Sequence, residues 1–244
     1  MTILQTHNLQ KHFGGVYAID NLSIDFKQGK ITGIVGPNGS GKSTLVNLLS
    51  GLYKLDRGHL TLYNLPLHKL YQPHELINYS ITRTFQEVKV FEQMTVLDNL
   101  LVVLTKRNML EALFSRHTKI DEQKAKSILE QVNLWEKRNQ LAINLSYGQR
   151  KLLELARMLS MDAKIVFLDE PFAGMFKEMI KKVVAIIKAM REQGKTIILI
   201  EHNMELIREL CDYLYVLDEG KLLAEGKADK ILEEKKVIEA YLGE

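Results

Sequence analysis

The chain has 244 residues, 46% of them hydrophobic and 26% charged, which suits one large folded domain or a core with a subdomain and excludes a disordered or fibrous chain. A net charge of +3 is too small to argue for a nucleic-acid surface, though it permits an anionic ligand. The purely aliphatic runs, such as "TIILI" and "LLVVL", fall far short of the roughly 20 residues a membrane-crossing helix needs, and the N-terminus lacks a secretory pattern, so a cytoplasmic chain is expected.

In chain order, "LSIDF" and then "LTLYNLPL" alternate apolar and polar residues and predict strands of a small antiparallel layer. "ITGIVG" predicts a short buried strand. "KSTLVNLLSGL" carries Leu45, Leu48 and Leu49 at helical spacing and stops at Gly51. From about residue 88 to 160 the pattern turns helical, through "TVLDNLLVVL", "NMLEALFSR", "EQKAKSILEQVNL" and "GQRKLLELARML". Trp135 is expected to pack within that segment. "KIVFLDE" and "TIILIEH" then read as buried strands, joined by a helix with Ile180, Val183, Val184, Ile187 and Met190 on one face and Gly194 at its end. "YLYVLDEGKLLAEG" predicts a hairpin turning at Asp218 to Gly220, and short helices close the chain. The single cysteine, Cys211, sits among apolar residues and is expected to be a buried thiol. The remaining histidines, His7, His12, His59, His68, His74 and His117, show no metal-ligand spacing.

"GPNGSGKST", residues 36 to 44, carries the chemistry. Gly36, Gly41, Lys42 and Ser43 fit G-x-x-x-x-G-K-[ST] between a predicted strand and a predicted helix. Glycines let the backbone that runs from Gly36 through Pro37, Asn38, Gly39 and Ser40 to Thr44 wrap an oxyanion closely, so that the N–H groups of its non-proline residues and the helix N-terminus point at it. Lys42 is placed to bridge β- and γ-phosphates, and the Ser43 hydroxyl to ligate Mg²⁺. The loop therefore holds a nucleoside triphosphate. "KIVFLDEP" ends a buried strand in two carboxylates, Asp169 toward the metal and Glu170 toward an attacking water.

These residues, with "RTFQ", "NLSYGQRKLLELAR" and "LIEHN", resemble in order the motifs of the nucleotide-binding subunits of ATP-binding cassette transporters. The resemblance runs over nearly the whole chain. It implies an α/β fold with a P-loop NTPase core, a mostly parallel sheet with helices on both faces. To this core it adds an N-terminal antiparallel β layer and an inserted α-helical subdomain. The expected division is approximately 1–87 and 161–244 for the core and 88–160 for the helical signature subdomain. Gln86 matches the glutamine that senses Mg²⁺ and water, and His202 the histidine that contacts the γ-phosphate. Ser146, Gly148 and Gln149 match the signature, with Tyr147 where a glycine is usual. In this family that signature faces the γ-phosphate held by a partner subunit, which implies a homodimer or a related pair. Phe13 matches best the aromatic that stacks on adenine, with Tyr17 as the alternative.

The ATPase subunits of branched-chain amino acid importers are similar in "FGGVYAIDNLS", "LSYGQ" and the terminal "VIEAYLGE", while "EPFAG" and the ending also resemble the lipopolysaccharide-export ATPase. Cassettes that act on DNA or ribosomes are a third possibility, although they usually carry two cassettes, long coiled coils or zinc-binding cysteines. The transporter resemblance implies ATP and Mg²⁺, transmembrane permease subunits, an indirect solute-binding protein, a peripheral place on the inner face of the membrane and no nucleic acid. Val88, Val90, Phe91 and Met94 are expected to line a groove for the permease. One departure stands out. Where the family usually follows "DEP" with Ala-Gly-Leu-Asn/Asp-Pro, this chain has "FAGMFKEMI", so Phe176 stands in place of a polar residue.

Overall fold

The structure is a computed structural model and describes residues 1–67, 72–84, 88–104 and 119–242. The chain forms two compact units, one of residues 1–83, 163–170 and 188–244, the other of residues 84–162 and 171–187.

The first unit holds two sheets. One is antiparallel and built from β1 (Thr2–Phe13), β2 (Val16–Leu22), β3 (Asp25–Lys27), β5 (Arg57–Leu62) and β6 (Leu65–Leu67), in the order β2-β1-β5-β6 with β3 also on β1. The other contains β4 (Ile31–Val35), β7 (Ile81–Arg83), β8 (Ile165–Asp169), β9 (Thr196–Ile200), β10 (Tyr213–Asp218) and β11 (Lys221–Gly226). Its order is β11-β10-β4-β9-β8-β7, parallel except where β11 returns beside β10. Every residue of β4 and β9 is buried, which explains why these runs are apolar without alternation. The core joins Leu4, Leu9 and Phe26 of the first sheet to Ile34, Phe167 and Ile198 of the second. Helix α1 (Lys42–Leu49) adds Leu45, Leu48 and Leu49 to it. At about 0.8 kcal/mol per buried CH₂, this shared core is the main force that fixes the strand ends carrying the motifs.

The second unit is helical: α2 (Val96–Leu104), α3 (Lys119–Gln131) and α4 (Tyr147–Ser160), with 3₁₀ turns at Trp135–Lys137 and Ala142–Asn144. Leu100, Leu129, Leu153 and Ala156 are fully buried in it. Trp135 lies between two cations, with the Arg138 guanidinium 4.5 Å and the Lys126 amine 5.5 Å from the ring centre. Helix α5 (Lys177–Glu192) gives residues 177–187 to this unit and 188–192 to the first, and buries Val183, Val184, Ile187 and Met190 before Gly194 turns the chain at φ 82°. Helices α6 (Met204–Leu210), α7 (Ala228–Ile231) and α8 (Lys235–Leu242) complete the first unit. Among the described residues no helix is long and apolar enough to cross a membrane.

Several expected elements divide or shorten. "LSIDF" is not one strand: Leu22 ends β2, Ser23 and Ile24 lie between strands, and the chain re-enters the sheet as β3 at Asp25. "LTLYNLPL" is a hairpin, since Tyr63 and Asn64 take φ 52° and 61°, the paired left-handed geometry of a two-residue turn. Helix α3 stops at Gln131 instead of reaching Leu134, because Asn133 at φ 55° cannot continue it. The helix expected in "NMLEALFSR" lies outside the described residues.

Candidate nucleotide site

The loop between β4 and α1 is shaped by glycines that nothing larger can replace. Gly36, at φ 147°, lies so close to the Leu217 carbonyl that a methyl group there would sit 2.0 Å from its oxygen. Gly41, at φ 98°, would place one 2.3 Å from the Ala18 carbonyl oxygen. Two other segments of the first unit therefore brace the loop. The Gly220 N–H donates to the Ser40 carbonyl at 3.1 Å, and the Asp20 N–H to the Gly220 carbonyl at 2.9 Å. Asn38 and Gly39 stay exposed at the mouth, as does Ser43 at the start of α1.

Two observations fit this cradle to a phosphate. The Lys42 amine is buried and folds over the loop, donating to the Gly36 and Pro37 carbonyls at 2.8 and 2.7 Å. The Ser40 hydroxyl is buried without a hydrogen-bond partner, an arrangement that ordinarily costs about 1–3 kcal/mol and that an acceptor in the cradle would relieve. Thr44 follows Ser43 in the first turn of the helix.

Across the same unit, β8 delivers the two carboxylates. Asp169 is its last residue, mostly buried, with Oδ2 3.6 Å from the Arg83 guanidinium. Burial raises its pKa above the usual carboxylate range, while Arg83, His202 and Lys42 pull it down. Glu170 adopts φ 46°, a left-handed conformation rarely taken by a non-glycine residue, and donates its N–H to the Ile200 carbonyl at 3.0 Å. Its Oε1 is 3.0 Å from His202 Nε2, just past the end of β9. An ionised carboxylate only accepts, so in that state Nε2 carries the proton of this bond.

Glu201, between β9 and His202, was not read from the sequence as a site residue. It is buried, burial raises its pKa, and its Oε2 has no hydrogen-bond partner. A carboxylate directly after a buried strand was the only available signal.

In the second unit Ser146 caps α4. The Gln149 N–H donates to the Ser146 hydroxyl at 3.3 Å, and the Ser146 N–H to the Gln149 side-chain oxygen at 3.1 Å. Gly148 is buried against Met179, whose sulfur would lie 2.8 Å from an added methyl group. Phe13, 47% exposed at the end of β1, meets the Tyr53 ring edge-on at 5.3 Å and lies under the Lys11 amine at 5.2 Å. Tyr17 is more exposed, at 55%. Gln86 lies outside the described residues.

A profile of the ABC transporter family matches residues 19–173, a stretch that holds the glycine loop, both carboxylates and the capped helix. The chain belongs to the ABC transporter family. It is accordingly an ATP-binding ATPase cassette. The probable branched-chain amino acid transport ATP-binding protein LivG of Archaeoglobus fulgidus is 37% identical to it over 248 residues, covering 100% of this cassette and 96% of the relative. The high-affinity LivG of Salmonella typhimurium is 36% identical over 252 residues, covering 99% and 98%. Among solved structures, a nucleotide-free ATP-binding cassette from an ABC transporter superposes with a TM-score of 0.84 at 36% identity, covering 100% of both chains. A structure of the ADP conformation of an ATP-binding cassette of an ABC transporter gives 0.85 at 36% identity and the same coverage. The P-loop α/β architecture expected from the sequence is the one observed.

Proposed function

We propose that this cassette powers an importer of branched-chain or similar amino acids. It would work as one of a pair of cassettes against transmembrane permease subunits at the inner face of the membrane, with a solute-binding protein acting upstream. Full-length similarity to LivG proteins supports the import reading. The chemistry rests on one observation: Glu170, in a left-handed backbone conformation beside Asp169, is hydrogen-bonded to His202 at 3.0 Å. Strain of this kind, on the order of 1–3 kcal/mol, persists where surrounding structure enforces it and clusters at reacting sites.

In this reading the backbone of residues 36–44 and the Lys42 amine hold the phosphates, and Phe13 lies against the adenine. Ser43, Asp169 and Gln86 would hold Mg²⁺, which supplies charge neutralisation on the phosphate oxygens. Glu170 orients the attacking water and takes its proton, while His202 fixes the Glu170 carboxylate and reaches the γ-phosphate. Ser146, Gly148 and Gln149 present a helix N-terminus to the nucleotide of a second cassette.

Glu170→Gln tests the assignment. The amide keeps the shape but cannot take the proton, so kcat falls by about 10²–10⁴-fold while ATP still binds and an ATP-bound dimer accumulates in sedimentation. Near-normal turnover in this variant rules out Glu170 as the base.

A further inference from the structure

Arg83 opens the "RTFQ" segment without a role assigned to it above, yet its side chain is only 5% exposed and lies beside the carboxylate assigned to the metal. It is the last residue of β7, paired in register with Phe167 two residues before Asp169. Its guanidinium reaches two elements of the first unit at once. Nη2 approaches Asp169 Oδ2 at 3.6 Å, and Nη1 donates to Asn47 Oδ1 at 3.0 Å and to the Ser50 hydroxyl. Ser50 closes the C-terminal end of α1, the helix whose N-terminus forms the phosphate cradle, and itself donates to the Val46 carbonyl at 2.7 Å. A guanidinium at that end also meets the negative pole of the helix. Its planar fork can serve all three acceptors, which the single ammonium of lysine cannot reach together.

We infer that Arg83 is a positioning residue. It ties the far end of α1 to the end of β8, so that the phosphate cradle and the Asp169 carboxylate keep one fixed separation during hydrolysis. The inference rests on the reading of Asp169 given above. The burial supports it: a cation placed here without a task in orientation costs desolvation that an apolar side chain of similar volume avoids.

The test compares Arg83→Met, Arg83→Lys and the double variant Asn47→Ala with Ser50→Ala in the purified full chain. The readouts are kcat, KM, the Kd of a fluorescent ATP analogue without Mg²⁺, and the thermal midpoint. A misplacement of about 1 Å can cost 10²-fold in rate, so kcat of Arg83→Met drops at least about tenfold while the metal-free Kd stays within about twofold. Arg83→Lys recovers part of the loss. If Arg83→Met does not fold, the double variant decides, because it frees the guanidinium from α1 and leaves its pairing with Asp169: a fall in kcat at unchanged Kd supports the tether. Unchanged kcat in Arg83→Met, or in the double variant where it decides, overturns the inference. So does a loss shared equally between kcat and nucleotide affinity. Asp169→Asn separates the two readings. If its Mg²⁺ dependence matches the parent chain, the metal assignment itself fails. If Asp169→Asn loses that dependence while Arg83→Met is normal, only the tether fails.

Discussion

Individual side chains show how strongly environment overrides residue type. Glu170 and Glu201 are glutamates on neighbouring strand ends of one sheet, yet Glu170 is partly exposed and bonded to His202, whereas Glu201 is buried with one oxygen unpartnered. Cys211 follows α6 with 8% exposure, and burial pushes its thiol up to about 12. Two outcomes follow for that thiol. In the folded chain at pH 8 a disulfide reagent modifies Cys211 far more slowly than in denaturant, by at least about 10²-fold, because the thiolate is the nucleophile. Stability also falls as pH rises from the ordinary thiol value of 9.0 toward about 12, since only the unfolded thiol releases its proton in that window. Thiol-labelling kinetics check the first, and denaturant midpoints across the window check the second. Equal labelling rates in the two states contradict the burial.

At the scale of elements, turn chemistry separates what was legible from what was not. The strands β4, β8 and β9 announce themselves because parallel strands covered on both faces are continuously apolar, and the glycine loop follows β4 at fixed spacing. β1, the longest strand at 12 residues, escaped notice because its buried positions do not alternate strictly and its pairings with β2, β3 and β5 carry register shifts. Tyr63, Asn64 and Asn133 ended or split other elements by entering the left-handed region, a choice that composition alone does not announce. Arg83 and Glu201 were missed for a related reason: each sits in a quoted segment beside a residue with a recognised role, and its own partners or burial become visible only once the strands are assembled.

The segment after Glu170 is a second case at this scale. Gly174 turns at φ 71° beside the Tyr147 ring, and the Lys151 amine donates to the Ala173 carbonyl at 3.0 Å, so the path to α5 is held from α4. Phe176 is left 81% exposed at the position where the family resemblance leads one to expect a polar residue and a proline. An Asn-Pro pair in place of Phe176 supplies a side chain able to bond across a pair of cassettes and fixes φ at the helix start. ATPase rate and Hill coefficient are expected to rise together, and if neither changes, the substitution is neutral in this chain.

At the scale of the whole molecule, the proposed permease groove falls in the second unit. Phe91 is 42% and Met94 38% exposed, whereas Val88 and Val90 are half-buried. Phe91 is held by its backbone, its N–H donating to Asn99 Oδ1 at 2.9 Å and its carbonyl accepting from Asn99 Nδ2 at 3.0 Å, with the Arg157 guanidinium 4.7 Å from the ring centre. Fixed main chain and a ring that is 42% exposed suit docking to a permease helix. Phe91→Ala therefore abolishes amino-acid uptake in reconstituted membranes while ATP binding and the thermal midpoint stay near those of the parent chain. Uptake at the parent rate places the docking surface elsewhere.

The position of β4 also bears on how the protein is made. Its two neighbours in the sheet, β9 and β10, come from residues beyond 195, and the phosphate loop leans on carbonyls and N–H groups at Leu217 and Gly220. During synthesis the loop thus leaves the ribosome long before the strands that shape it. Contacts so distant in sequence form slowly, and until they form the loop lacks the groups at Leu217 and Gly220 that brace it. Nucleotide capture is thus a late event in the life of the nascent chain, and ATP rewards only a polypeptide completed through its last hairpin.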